Sequence, residues 1–191
     1  MMLAQIAQIV IDAAAGLIVI LLLARFHFQW LRVSFRNPFG SFIIAATNWI
    51  VLPLRRIIPG LAGFDLASLA GALLVQAVGL YLIYAVAGRL FSGTAGETVG
   101  VLAGLALVDL LRFSVYLLVF AVIVQVVLSW VNPYSPVAPV FNAMTRAFMR
   151  PLRRIVPPIG NVDLSPLVLL LILQVLLVPL AYLRVYVEAL L

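Results

Sequence analysis

Cysteine and lysine are absent from the 191 residues, histidine occurs once, and charged residues make up only 9% of the chain. Without cysteine there is no disulfide, no thiolate metal site and no cysteine nucleophile. One imidazole, His27, cannot build a multi-histidine metal centre. Heme ligation through it would need a second axial partner, and no CxxCH attachment motif is present. The carboxylates are Asp12, Asp65, Glu97, Asp109, Asp163 and Glu188. No paired-carboxylate, Ser-His-Asp or Walker-type spacing joins them, so no enzymatic activity, metal or cofactor is expected. The shortage of charge also excludes a soluble fold. Soluble domains carry roughly 25% charged residues, and far fewer could not cover a soluble surface of this size.

What is present instead is apolar: 66% of the residues belong to the AVILMFWYC set. They come in runs of about 20, the length that crosses a bilayer core. A disordered chain and a secreted disulfide scaffold are excluded with the soluble enzyme. The length is that of one domain. Four spans are expected, over 5–30, 65–88, 99–131 and 164–187, in an all-α membrane fold. The first run resembles a signal peptide only superficially. It lacks a basic n-region, carries Asp12 and is too long for an h-region, so it reads as a retained span.

The net charge is +6, and all twelve basic residues are arginine. They sit in the turns beside the spans, where anionic headgroups are the natural partner. Nothing among them reads bases, so specific nucleic acid binding is not expected.

An internal duplication organises the chain. Pro53-Leu54-Arg55-Arg56-Ile57-Ile58-Pro59 recurs as Pro151-Leu152-Arg153-Arg154-Ile155-Val156-Pro157. Asp65-Leu66 recurs as Asp163-Leu164 and Gln76 as Gln174, all at offset 98. Upstream, Asn37-Pro38-Phe39 matches Asn132-Pro133-Tyr134 and Trp30 matches Trp130, which aligns Arg25 with Gln125. Repeat one covers 5–90 and repeat two 97–191 within a single membrane domain. Each repeat runs span, Asn-Pro break, short amphipathic stretch, Pro-Leu-Arg-Arg turn, span. Two spans return the chain to its starting side, so the repeats have parallel topology about an axis along the membrane normal.

Both Arg turns then share one face. That face holds Arg32, Arg36, Arg55, Arg56, Arg146, Arg150, Arg153 and Arg154, against Arg89 and Arg184 on the other. Eight against two predicts a cytoplasmic turn face and both termini outside. In the stretch 41–58, Ser41, Asn48 and Arg55 fall seven residues apart on one helical face. In 141–154, Asn142, Arg146, Arg150 and Arg154 are spaced by four. Both read as interfacial or shallow re-entrant helices that Pro53 and Pro151 end or kink.

These residues carry a resemblance. Tandem Pro-Leu-Arg-Arg-Ile-(Ile/Val)-Pro turns, each followed by Asp-Leu-(Ala/Ser) opening an apolar span, together with Ser129-Trp130-Val131-Asn132-Pro133, resemble the YggT/YlmG family over nearly the whole chain. The sequence departs from the family pattern at Gln125, where arginine is expected. It also departs near Trp49 and Ala147, where an Asp-Pro-like pair is expected. The resemblance implies a bacterial inner-membrane protein of a family with no established catalytic activity. It implies links to membrane-complex assembly such as cytochrome biogenesis, to division, or to osmotic and ion homeostasis. The expected function is a small scaffold or assembly factor whose Arg face contacts lipid or a partner protein. The alternative is a component of ion or solute transport, with homo-oligomers.

Individual residues divide between structural and functional readings. Asp65 and Asp163 open the second spans and read as helix N-caps, with an ion or proton site or pairing with the nearby arginines as the alternatives. Arg55, Arg56, Arg153 and Arg154, with Arg146 and Arg150, read as topology determinants, or as a docking surface for acidic lipid or protein. His27, among Phe26, Phe28 and Trp30, reads as an interfacial histidine in an aromatic belt. Gln76 and Gln174 lie eleven residues past their Asp, about 16 Å along the helix, and are expected to hydrogen-bond each other or backbone. Gly71, Ala77 and Gly79 are close-packing positions on the second span. Asp12 and Arg112 lie at matching depth, eighteen residues before Trp30 and Trp130. Arg112 is expected to pair with Asp12, Asp109 or both, because a lone charge there is costly.

Overall fold

The structure, a computed structural model, describes residues 2–60, 63–88, 94–132, 134–157 and 163–190. Arg89, Ser92 and Pro133 lie outside the described residues. The described residues form six helices: α1 (Met2–Trp30), α2 (Pro38–Arg55), α3 (Leu66–Val86), α4 (Ala95–Val131), α5 (Ala138–Ile155) and α6 (Ser165–Glu188). Among the described residues there is no strand. Helices α1, α3, α4 and α6 are each long and apolar enough to cross a membrane. Their ends lie within a few residues of the boundaries expected from the apolar runs, because length and composition alone fix a span.

The spans pack α1 on α3 and α4 on α6, and α3 meets α4 between the two pairs. The short helices ride on these pairs, α2 against α1 and α3, and α5 against α4 and α6. The largest core gathers Leu22, Leu23, Val51, Ala72, Ala121 and Phe141 from five helices. A second joins Val115 and Val122 of α4, Met149 of α5 and Leu169 and Leu173 of α6. In α1 and α6 only 17% of the most apolar stretch is buried. The remaining aliphatic surface, Ile6, Val10 and Leu17 on α1 and Leu171, Val175 and Val178 on α6 among it, is what a lipid-facing helix requires.

The two Asn-Pro steps behave differently. Asn37 is the N-cap of α2, its Oδ1 accepting from the Gly40 amide at 2.9 Å, and Pro38 is the first helical residue. Proline suits that position because the amide it lacks would be unpaired there. So the first Asn-Pro starts a helix rather than only breaking one, and α2 begins before the expected stretch 41–58. Asn132 instead closes α4, and α5 starts six residues later at Ala138. Pro53 and Pro151 do not end their helices. α2 continues to Arg55 and α5 to Ile155. Gly40 is required where it stands: a Cβ there would lie 2.5 Å from the Phe35 carbonyl oxygen.

Between α1 and α2 the chain reverses through Arg32, whose φ of 55° is left-handed. The Val33 amide donates to the Phe28 carbonyl at 2.8 Å and the Arg32 amide to Gln29 at 3.2 Å. This is the Schellman closure of a helix end, with arginine in the place usually taken by glycine.

Candidate functional site

Polar side chains collect at the two ends of the bundle. At the end bearing the Arg turns, Asp65 caps α3. Its Oδ1 accepts from the Ser68 amide at 3.3 Å and its Oδ2 from the Ser68 hydroxyl at 2.7 Å. Two arginines converge on the same carboxylate: Arg55 at 2.7 Å and Arg25 of α1 at 3.4 Å. Arg25 also donates to Thr47 Oγ1 at 2.8 Å and Asn48 Oδ1 at 2.9 Å, both on α2. One guanidinium therefore fastens α1 to α2 and to the start of α3. The polar stripe of α2 is turned inward at Asn48 for this reason. Burial alone would raise the Asp65 carboxyl. Hydrogen bonds from Arg55 and Ser68 and the Arg55 charge outweigh it and hold the group below its ordinary value.

The second half builds a looser version. Asp163 pairs with Arg153 at 2.9 Å and accepts from the Ser165 amide at 2.9 Å, ahead of α6. Burial pushes this carboxyl up, and the bonds from Ser165 and Arg153 carry it below its ordinary value. Gln125, standing where the first half has Arg25, accepts from Thr145, the offset-98 match of Thr47, and from no other side chain among the described residues. Arginine appears instead at 146 and 150, in place of Asn48 and Leu52. Asp163 keeps 41% of its side chain exposed, whereas Asp65 keeps 1%.

Ring contacts bring the two halves together at this end, Trp30 on Phe148 and Phe39 on Phe141. His27 is buried there, its Nδ1 2.7 Å from the Leu23 carbonyl oxygen and its ring edge-on to Phe26 and Trp30. Arg32, Arg36, Arg56, Arg146, Arg150 and Arg154 are exposed and form no ion pair among the described residues. The only carboxylates at this end, Asp65 and Asp163, are already taken.

At the opposite end a cavity of about 580 Å³ opens between the four spans. Asp109 of α4 is its centre. It accepts from Arg184 of α6 at 2.9 Å, from Gln76 of α3 at 3.0 Å and from Arg112 at 3.4 Å. Arg184 also holds Glu188 at 2.9 Å, and Glu188 accepts from the Tyr84 hydroxyl at 2.9 Å. Gln8 of α1, which also lines the cavity, donates to the Ile83 carbonyl at 3.2 Å. Asp12 lines the same cavity, is exposed, and has no ion pair among the described residues. The Arg112 Nε is buried with no hydrogen-bond partner among them.

Arg112 therefore meets Asp109 and not Asp12. The two glutamines do not meet. Gln76 is buried on Asp109, while Gln174 is exposed and makes no hydrogen bond among the described residues. Equal depth along matched helices does not fix the direction a side chain takes around them, and a carboxylate outcompetes a second amide for the Gln76 donor. Sequence reasoning missed Arg25, Thr47 and Asn48 as a cluster, and Arg184 and Glu188 as members of the cavity. The signals were present: Thr47 recurs as Thr145 at the repeat offset, and Arg184 and Glu188 stand at i, i+4 near the end of an otherwise apolar helix. No group of three or more acidic or histidine side chains able to hold a metal occurs among the described residues.

The CCB3/YggT family model matches residues 4–86 and again 104–183. The chain belongs to that family. It is similar to the uncharacterized protein PA0392 of Pseudomonas aeruginosa, at 39% identity over 86% of this chain and 83% of the relative. It is 34% identical to a Vibrio alginolyticus protein over 86% of this chain and 87% of that one. To the uncharacterized protein YggT of Escherichia coli K12 the identity is 33%, over 81% and 78%. No solved structure matches. The double match of the family model falls on α1 to α3 and on α4 to α6.

Proposed function

We propose that this protein is a non-enzymatic scaffold or assembly factor of the bacterial inner membrane. In this reading its halves are tandem repeats of parallel topology, the Arg-turn face is cytoplasmic, and α2 and α5 lie at the membrane interface as amphipathic elements. The observation that carries it is the charge imbalance of that face: six exposed arginines form no ion pair among the described residues. Side chains of this kind bind phosphate and carboxylate in bidentate fashion. Anionic headgroups supply the first partner and an acidic segment of another membrane protein the second, in complexes such as those of cytochrome biogenesis or division.

Photo-crosslinking side chains at the exposed positions 57 and 155 in native membranes, followed by mass spectrometry, test the reading. A reproducible heteromeric partner, lost when Arg146, Arg150 and Arg154 are all changed to Gln, is expected. Lipid adducts alone would reduce the face to a topology determinant and overturn the scaffold.

A second reading, participation in ion or solute transport, draws on the opposite cavity, whose polar lining reaches inward to Gln76. No polar lining of that cavity continues from Gln76 toward the Arg turns among the described residues. Transport therefore requires an oligomer or a second conformation. Ion or solute flux on reconstitution of the purified chain, abolished by Asp109→Asn, would favour it over the scaffold.

A further inference from the structure

The cavity opposite the Arg turns holds five charged side chains, three acidic and two basic, whose needs do not balance internally. Asp109 is saturated by Arg184, Gln76 and Arg112, and Glu188 by Arg184 and Tyr84. Two functions remain unspent on the same wall. Asp12 has no ion pair among the described residues, and the Arg112 Nε is buried without a partner among them. Arg112 also makes a long contact, 3.4 Å, with the carboxylate it does touch. An isolated charge at membrane depth is costly unless it is paired. The complement of this cavity is one cationic donor for Asp12 and one acceptor oxygen for the part of the Arg112 guanidinium that stays exposed.

Position narrows the class. Asp12 lies eighteen residues before the interfacial Trp30, about 27 Å along α1, close to the thickness of the hydrocarbon layer. The cavity mouth is thus level with headgroups of the leaflet opposite the Arg turns. Ile9, Leu80, Ile83 and Phe113 add apolar surface to the same lining. That combination suits a zwitterionic head attached to an apolar body. The volume, about 580 Å³, is within the ordinary range for a small-molecule site.

We infer that this cavity binds a small zwitterion, with its ammonium on Asp12 and its phosphate or carboxylate oxygen on Arg112. An ethanolamine phospholipid headgroup and a free zwitterion share that chemistry. The site is independent of the Arg-turn face and stands or falls apart from the scaffold reading.

The test uses the full chain in a maltoside detergent, read by native mass spectrometry and thermal midpoint. Phosphatidylethanolamine, phosphatidylglycerol and soluble O-phosphoethanolamine are added separately. Phosphatidylglycerol is expected on the Arg-turn face, and retention of, and stabilisation by, phosphatidylethanolamine at the cavity. Asp12→Asn and Arg112→Gln should each weaken that retention by about tenfold or more, the effect of losing one charge-assisted hydrogen bond. Asp12→Asn removes an unpaired charge and so inserts more easily, which keeps its result interpretable if Arg112→Gln folds poorly. Gln174→Leu, at an exposed site outside the cavity, should leave that retention unchanged. Stabilisation by O-phosphoethanolamine as well supports the shared chemistry from either source, and response to the lipid alone assigns the site to the membrane. Phosphatidylethanolamine retention no weaker in Asp12→Asn than in the wild type, or phosphatidylglycerol retention weakened as much by that change, overturns the inference.

Discussion

Asp65 and Asp163 occupy matched places in the sequence, yet their surroundings assign them different energetic weights. Asp65 is buried between Arg25 and Arg55, while Asp163 faces solvent with Arg153 alone. Removing one member of a buried pair strands the other charge, at about 3–5 kcal/mol, whereas an exposed pair is worth about 0–1 kcal/mol. Denaturant titration in detergent should therefore show Asp65→Asn losing several times the stability that Asp163→Asn loses. Equal losses would mean that Arg25 does not depend on Asp65. A pH dependence follows in the same sense. The folded protein holds the Asp65 carboxyl below its ordinary value. Its contribution is complete above the ordinary carboxylate range of about pH 4 and is lost as pH falls through the depressed value. Asp65→Asn should flatten the acid limb of the stability profile, and an unchanged limb would remove Asp65 as its source.

At the scale of helices, the contact of α1 with α3 depends on absent side chains. A Cβ at Gly79 would lie 2.8 Å from the Cβ of Ala15, closer than two such atoms approach. Gly79→Val should cost about 1–3 kcal/mol through overpacking, measured as a lowered thermal midpoint. Gly100→Val, at a site where nothing lies within 4 Å, should cost less despite its position in α4. The spans themselves were legible in the sequence because a run of apolar residues has few other uses. The start of α2 was less so, since the same Asn-Pro pair caps one helix and follows another. The Asp65 cap was legible from its place ahead of an apolar run. The cavity was only half legible: Asp12, Asp109 and Arg112 drew notice as charges in spans. Arg184, counted merely as a charge of one face, turned out to be a partner of Asp109 that crosses from α6. Pairings between helices depend on rotation about each axis, which a repeat offset does not encode.

For the whole molecule, the Arg count gives an orientation that labelling can check. Ser41→Cys and Ala95→Cys are both exposed positions at opposite ends of the bundle. In right-side-out cells the impermeant reagent should reach residue 95 and spare residue 41, and inverted vesicles should reverse the pattern. Modification of both from one side would break the four-span arrangement. The length of α4 adds a constraint of another kind. Its 37 residues rise about 55 Å. Even at the upper tilt of about 40° it would climb about 42 Å through a core of about 30 Å. Its leading turns, Thr94 and Glu97 closing a reciprocal capping box at their tip, must therefore stand clear of the hydrocarbon with little else to brace them. In a thin bilayer more of this mast is out of the water line and in a thick one less, so the emergent length of α4 gauges the membrane in which the chain is moored.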